Sequence, residues 1–355
     1  MGSEKKLRWL PPTLSLVLCL LLFRMPQVCT AGVKAGINLC ANVVIPSLFL
    51  FLVLANFWVT SGFVEMLSKG LAPLTRLLFR LPGSCAGVLF LGMIGGYPVG
   101  ISMTATLFRQ HRITKNEAQR LCSFAFNAGP AFVVFAVGDA MLHSFRAGVL
   151  LYASVVLSAL LLGIVSGFFA EKEVKASASP SPSDIFYGLP LSRAVPEAVS
   201  KATHTMLFIC AWVVLFYALT ACLQGLPLSK GSLLFLNCIL EVTVGLKSAA
   251  GQFPLPVLAA ILSFGGLSVH CQILEDLQTC EVKFLHFLVG RGVCGVFSAC
   301  ICAVLLKIFP CEISVFASTA DVIPAPYSVS EPAFVALLFM SILFILELDS
   351  KREMC

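Results

Sequence analysis

The chain has 355 residues, of which 58% are hydrophobic and only 12% charged, with a mean hydropathy of +0.95 and a formal net charge of +6. Soluble domains carry roughly 25% charged residues, so this composition excludes a soluble globular protein. The positive charge does not indicate nucleic-acid binding, because the basic residues stand in short clusters beside apolar runs, as positive-inside topology signals do.

At about 20 residues per crossing, the chain holds about eight to ten hydrophobic segments, which predicts an all-α polytopic membrane protein with almost no extramembrane domain. We divide it into an N-terminal membrane anchor (1–35), a first repeat (36–170), a cytoplasmic linker (171–201), a second repeat (202–310), and a C-terminal loop, last transmembrane helix and tail (311–355).

The first segment, Leu14 to Phe23, has about the length of a signal-peptide h-region. Arg24 follows it directly, and the next residues offer a poor cleavage site, so an uncleaved anchor is favoured over a cleaved signal peptide. With an uncleaved anchor, the basic clusters place both termini in the cytoplasm.

Three further signals lie in the first repeat. Gly36 to Phe63 is one long apolar span, in which Pro46 predicts a kink. Val64 to Arg80 alternates apolar and charged residues, which predicts an amphipathic helix on the cytoplasmic face. Thr114 and Glu117 have the spacing of a capping box at the start of a helix.

Two hydrophobic stretches are broken by residues that a helix does not accommodate. The first break is Gly95-Gly96-Tyr97-Pro98, inside Ser84 to Phe108, and the second is Asn127-Ala128-Gly129-Pro130. Unwound backbone survives in a bilayer only inside protein or beside a water-filled cavity. Positive clusters flank the first stretch on both sides, which favours a re-entrant hairpin; a single kinked crossing is the alternative.

The second half repeats this order weakly. Glu241 to Gly245 stands in the place of the first break, and Ser263 to Gln272, which contains Gly265-Gly266, stands in the place of the second. Counted by crossings, the first repeat starts outside and the second inside. The sequence therefore predicts two inverted-topology repeats with broken helices or re-entrant hairpins.

The polar side chains at the breaks are the candidate binding residues, because broken helices leave N–H and C=O groups that can hold a solute or an ion. They are Tyr97, Asn127, Glu241, Thr243, Ser268, His270 and Gln272. The backbone that opens the helices comes from Gly95, Gly96, Pro98, Gly129, Pro130, Gly265 and Gly266.

Several of these candidates have two interpretations. Glu241 is a functional candidate that carries a proton or binds a cation, or it faces the membrane interface. Asn127 coordinates a ligand, caps the half-helix after the break, or does both. His270 couples to protons or is a hydrogen-bonded structural group. Tyr97 reaches the site with its hydroxyl or packs its ring across the glycines.

The sequence contains no catalytic, nucleotide-binding or metal-binding motif. The 15 cysteines lack CxxC or ligand spacing and are interpreted as small buried apolar residues. We therefore expect no enzyme activity, no metal and no cofactor. The expected partners are the lipid bilayer and an unknown polar solute or ion, with homo-oligomerisation left open.

Four segments in order resemble the nucleoside recognition (Gate) domain family, and within it the sporulation integral membrane proteins of the YlbJ type. They are Val44 to Phe49, Gly95 to Gly100, Glu117 to Arg120 and Asn127 to Phe132. The resemblance implies a spore-forming Firmicute, a place in the bacterial cytoplasmic membrane and a role in building the spore cortex. Related Gate proteins include nucleoside and ferrous iron transporters. The chain shows neither the Gln-Thr-Glu run of the former, which Glu241-Val242-Thr243 only approximates, nor the GTPase domain of the latter.

These observations predict a transporter-like protein that moves or binds a polar solute or ion near the bilayer midplane. The alternative is a non-transporting membrane scaffold that recruits cell-envelope or sporulation enzymes. Such a scaffold would act through Arg109 to Arg120 and the linker.

Overall fold

The computed structural model describes residues 23–170, 188–225 and 228–311, and every regular element in these ranges is helical. Five of the described helices are long and apolar enough to cross a bilayer: Pro26–Thr60, Phe145–Phe168, Leu191–Gln224, Leu255–Gln272 and Phe284–Ile308. The prediction of an all-α polytopic membrane protein is confirmed. Most of the first hydrophobic segment, linker residues 171–187 and the predicted last transmembrane helix lie outside the described residues.

The first described helix starts at Pro26 rather than at Gly36 and continues to Thr60. It consists of α1 (Pro26–Leu39), a π-helical turn (Cys40–Val44) and α2 (Ile45–Thr60). Pro46 follows the turn closely, and a proline removes one N–H from the helical ladder and crowds the preceding turn. The disturbance expected from Pro46 is therefore a π-helical turn within a continuous helix.

Helix α8 (Leu191–Gln224) lies antiparallel to that first helix. It begins inside the range predicted as a linker, so residues from Leu191 onward are helical and not a solvated connection. Gly36 lets the two backbones approach, because an added Cβ would lie 2.9 Å from Cα of Val214. At the other end, the Thr60 hydroxyl donates to the Ala194 carbonyl at 3.3 Å.

Helix α3 (Phe63–Phe79) has the amphipathic character that the sequence predicts. Val64, Ser68, Thr75 and Phe79 are buried on one face. Lys69 and Arg76 are exposed on the other.

The first broken stretch forms α4 (Cys85–Ile94) and α5 (Tyr97–Arg109). These helices fold back on each other, because an added Cβ on Gly92 would lie 3.2 Å from Cα of Gly100. In a continuous helix those two residues would be about 12 Å apart. The predicted hairpin is therefore present, and the kinked crossing is wrong.

The second broken stretch forms α6 (Lys115–Phe124) and a π-helical segment (Ala131–Met141), followed by α7 (Phe145–Phe168). The capping box is confirmed: the Thr114 N–H donates to Glu117 Oε2 at 2.8 Å and the Glu117 N–H donates to Thr114 Oγ1 at 3.3 Å.

The second half also contains a hairpin followed by a broken helix. Helices α9 (Lys230–Leu240) and α10 (Val242–Ala249) form a second hairpin, in which an added Cβ on Gly245 would lie 2.5 Å from Cα of Cys238. Next come α11 (Leu255–Phe264), α12 (Gly266–Gln272), α13 (Leu274–Thr279) and α14 (Phe284–Ile308). The opposite orientation of the two halves in the membrane stays a prediction.

Candidate functional site

The two breaks of the first half are in contact. An added Cβ on Gly129 would lie 2.9 Å from the carbonyl oxygen of Ile94 and 3.1 Å from the backbone N of Gly96. Gly96 has φ +88°, a left-handed conformation that favours glycine. The unwound backbone after α6 thus lies against the turn of the first hairpin.

Two glycines make room for this contact. An added Cβ would lie 2.5 Å from the carbonyl oxygen of Ala125 if built on Gly92, and 2.0 Å if built on Gly100. Real Cβ atoms do not approach an oxygen so closely. Gly92 and Gly100 therefore form a cleft between α4 and α5 that only the Ala125 backbone fills.

The break between α11 and α12 joins this cluster through aromatic rings. Gly265, with φ +91°, has the Phe126 ring 2.8 Å and the Tyr97 ring 3.2 Å from the position of an added Cβ. The two ring centroids are 4.9 Å apart. Phe126 follows α6 and Tyr97 begins α5, so both breaks of the first half touch the second half here.

The break between α9 and α10 completes the cluster. An added Cβ on Gly266 would lie 2.9 Å from the backbone N of Val242 and 3.5 Å from Cα of Glu241. All four helix breaks are therefore contiguous, and we call this cluster the four-break junction.

Three side chains satisfy the carbonyl groups at the end of α11. Tyr97 Oη donates to the Leu262 carbonyl at 2.7 Å, the Arg291 guanidinium donates to the Ser263 carbonyl, and His270 Nε2 lies 2.7 Å from the Phe264 carbonyl oxygen. A carbonyl only accepts, so Nε2 of His270 carries the proton. His270 and Tyr97 therefore both have a structural role: each replaces a hydrogen bond that the broken helix lost.

Arg291 is the residue that the sequence interpretation missed. It lies about two turns after the start of α14 and is 0% exposed. Its guanidinium also donates to the Ser123 carbonyl at 3.2 Å and lies 5.0 Å from the centroid of the Phe126 ring. An arginine inside an apolar segment is itself a signal of function, and it would have identified this residue from the sequence.

Asn127 is buried and caps a helix end, though not the one predicted. Its Nδ2 donates to the carbonyl of Phe124 at 2.8 Å. It therefore caps α6, the half-helix before the break, rather than the one after it. Its Oδ1 has no hydrogen-bond partner among the described residues.

Glu241 is 1% exposed, so it faces the protein interior and not the membrane interface. It is the N-cap of α10, where its carboxylate accepts the Val244 N–H at 2.6 Å. Thr243, also buried, lies beside the same carboxylate. Glu241 forms no ion pair within the described part of the chain.

The two buried ionisable side chains face helix ends instead of each other. The Glu241 carboxyl group lies at the N-terminus of α10, which carries partial positive charge. The positive Arg291 binds carbonyls at the C-terminal ends of α6 and α11, which carry partial negative charge. The junction therefore holds one acid and one base without a salt bridge between them.

Further polar atoms at the junction have no partner among the described residues. They are the hydroxyls of Ser263 and Ser268, the Nδ1 atom of His270 and the Nε atom of Arg291. Neutral His270 offers Nδ1 as an acceptor, because Nε2 holds the proton. Gln272, in contrast, ends α12 and is only partly buried.

Over residues 23–170, 188–225 and 228–311, no group of three or more His, Cys, Asp and Glu side chains is placed to hold a metal ion. The arrangement offers helix ends, hydroxyl groups, an amide oxygen and two ionisable side chains, all buried in protein. The fold and the junction define a polytopic membrane protein whose paired half-helices meet at one buried polar point.

Comparisons with known proteins agree with this class. Residues 41–167 match the model of the Gate family, which is described as nucleoside recognition. The chain is similar to the sporulation integral membrane protein YlbJ of Bacillus subtilis (strain 168): it is 27% identical over an alignment of 320 positions, which covers 79% of this chain and 78% of that protein. No solved structure matches the chain.

The resemblance inferred from the sequence motifs is therefore confirmed. The family match includes the first two breaks and ends before the second half begins. Glu241, Ser268, His270 and Arg291 lie outside it, although the structure places them at the same junction as Tyr97 and Asn127.

Proposed function

We propose that this membrane protein binds a small polar solute or ion at the four-break junction and moves it across the cytoplasmic membrane in support of spore formation. The observation that carries the proposal is a set of buried atoms there without a partner among the described residues: Asn127 Oδ1, Ser263 Oγ, Ser268 Oγ, His270 Nδ1 and Arg291 Nε. Each buried polar group without a hydrogen bond costs roughly 1–3 kcal/mol, so a ligand that bonds to them removes that cost.

The burial of these groups fits an occluded state. Ser268 and His270 are 0% exposed, and Asn127 is 1% exposed, so a solute reaches them only when the helices around the junction separate. Access that alternates between the two sides of the membrane is how transporters with broken helices work. The similarity to a sporulation membrane protein supports the cellular role, and spore cortex formation is the process in which we expect the solute to be used.

The experiment is ligand-dependent thermal stabilisation of the purified protein with nucleosides, amino acids, peptidoglycan precursors and divalent cations. A ligand at a hundred times its dissociation constant adds roughly 2.7 kcal/mol of stability. Ser268→Ala removes an unpartnered hydroxyl, so it should leave the unliganded protein stable and abolish the ligand effect.

Ser154→Ala is the matched control. Ser154 is also a buried serine in an apolar helix, but its hydroxyl donates to the carbonyl of Leu150 at 2.7 Å. It should keep the ligand effect of the parent. If no compound stabilises the folded parent, or if both variants respond alike, solute binding at the junction is wrong.

A non-transporting scaffold is the second candidate function. One observation favours it: the carbonyls at the end of α11 that lack a helical donor already have partners in Tyr97, Arg291 and His270. The junction is therefore stable without a ligand. A scaffold tolerates Ser268→Ala in a sporulation complementation assay but loses function when its cytoplasmic surface changes, as in Arg109→Gln. A transporter gives the opposite result.

A further inference from the structure

Two cysteines that are distant in sequence meet between α1 and α8. Cys29 Sγ lies 3.2 Å from Cys222 Sγ, across a sequence separation of 193 residues. The two residues are 6% and 4% exposed. A thiol is only a weak donor and acceptor, so this contact gains little as a hydrogen bond.

The backbones near this pair are held close. Gly32 lies one turn from Cys29, and an added Cβ there would be 2.8 Å from Cα of Ala218 and 2.8 Å from Cβ of Ala221. Gly32 and Gly36 have the four-residue spacing that packs membrane helices tightly. A disulfide needs Cα atoms within about 4.4–6.8 Å, and such close packing is what brings helices that near.

The distribution of charge indicates which membrane face the pair occupies. The opposite end of the two helices, at Thr60 and Ala194, adjoins most of the basic residues: Lys69, Arg76, Arg80, Arg109, Arg112, Lys115, Arg120, Arg193 and Lys201. Arg112 bonds to Glu65 of α3 at 2.8 Å, which keeps the basic loop at this end. Fewer basic residues lie toward the cysteine end: Arg24, Lys34, Lys230, and Arg146 and Lys307 at the ends of α7 and α14 that point away from the basic loop. The positive-inside rule therefore places the cysteine pair on the outer side.

The depth of the pair agrees with this placement. Lys201 is the last charged residue of α8, and the helix rises about 30 Å from Lys201 to Cys222. The hydrocarbon core of a bilayer is also about 30 Å thick. Cys222 therefore lies at the outer boundary of the core, next to a compartment where disulfides form and persist.

We propose that Cys29 and Cys222 form a disulfide bond that fixes α1 to α8 at the outer face of the membrane. The oxidant is a disulfide carried by an outer-face thiol oxidoreductase. Cys29 thiolate attacks this disulfide and releases one thiol, and Cys222 thiolate then displaces the second. The oxidant's two sulfurs gain the two electrons and protons that the cysteines lose. The exchange takes place before α1 packs against α8, because both thiols are buried afterwards.

The test uses the full chain with a protease site inserted at 177–183, between the two cysteines. Thiols are blocked with N-ethylmaleimide in intact cells, so that no bond forms after lysis. Membranes are then cleaved and run on a denaturing gel. We expect one band of full length without reductant and two fragments with it. Separation of the parent fragments without reductant overturns the proposal.

Single variants identify the bond. Cys29→Ser and Cys222→Ser should each separate the fragments without reductant. Cys40→Ser, also on α1 but with its sulfur 3.9 Å from the Cys210 carbonyl, should leave them joined. A link that persists in the Cys29→Ser or Cys222→Ser protein belongs to another pair and refutes the assignment. If those variants fail to insert, mass spectrometry of the parent decides, since it must contain a cross-linked peptide of Cys29 with Cys222.

Discussion

The long antiparallel pair, formed by the Pro26–Thr60 helix and α8, and the four-break junction meet the same requirement in different ways. In lipid, every backbone N–H and C=O needs a partner. The long pair provides most of these partners within its own helices. It packs through glycines such as Gly32 and Gly36 and through large apolar side chains such as Leu52 and Ile209. The junction gives up helical hydrogen bonds at four places and replaces several of them with side chains such as Tyr97, Asn127 and Arg291.

This difference shows where polar chemistry can be placed in a membrane protein. The long pair keeps its backbone in helices without an unwound segment, so we expect its residues to serve packing. At the junction the same side chains that stabilise the fold surround atoms that have no partner among the described residues, such as Ser268 Oγ and His270 Nδ1. We therefore expect substitutions in the long pair to change stability alone, and substitutions at the junction to change both stability and ligand binding. The following substitutions test this difference.

The largest effect is expected for Arg291→Met. The variant leaves the Ser123 and Ser263 carbonyls buried without their donor, which should cost about 2–6 kcal/mol of unfolding free energy. Unfolding in mixed detergent, followed by circular dichroism, measures this cost. Arg291→Lys should recover part of it, and the exposed Arg76→Met should cost almost nothing. Equal stability of Arg291→Met and the parent would contradict the role given to Arg291.

Glycine substitutions compare the packing of the two regions. Gly100→Ala puts a methyl against the Ala125 carbonyl and should cost about 3 kcal/mol, whereas Gly36→Ala in the long pair should cost about 1–2 kcal/mol. Gly231→Ala is the control, because no atom lies within 4 Å of the added Cβ. It should be neutral or stabilising in the same unfolding assay. If Gly36→Ala costs more than Gly100→Ala, the junction is not the tighter region.

Tyr97→Phe tests a single replacement hydrogen bond. Loss of the hydroxyl leaves the Leu262 carbonyl unpaired and should lower stability by about 1–3 kcal/mol. Tyr152→Phe is matched to it, because that hydroxyl donates to the Met93 carbonyl at 3.1 Å from a half-buried position. It should cost less. An equal loss in both variants would show that burial at the junction adds nothing.

The smallest stability effect is expected for Glu241→Gln. Glutamine keeps an oxygen that accepts the Val244 N–H, so the loss should stay below about 1 kcal/mol, compared with about 1–2 kcal/mol for Glu241→Ala. Function in a sporulation complementation assay should nevertheless be abolished, because the charge is gone. Parental function of Glu241→Gln would rule out a proton or cation role for this carboxylate.

Much of the fold could be predicted from local signals. The Gly-Pro interruptions located the first two breaks, the Thr114 and Glu117 spacing gave a real capping box, and hydropathy gave the class of protein. The boundaries of the helices were predicted less accurately. The first long helix begins before Gly36, and polar residues of the predicted linker belong to α8. Helices tolerate polar residues where they leave the bilayer, so composition does not mark their ends.

The candidate site was only partly predictable. The sequence by itself determined that the protein is inserted in a membrane and that its helices break at particular glycines and prolines with polar residues nearby. Hydropathy and backbone conformation are local properties, so a local pattern is enough to predict them. Only the tertiary structure decided that the four breaks touch, that Asn127 caps the helix before it, and that Arg291 bridges α6 and α11. Those facts depend on which residues, distant in sequence, come into contact in the folded protein. No local sequence pattern specifies these contacts.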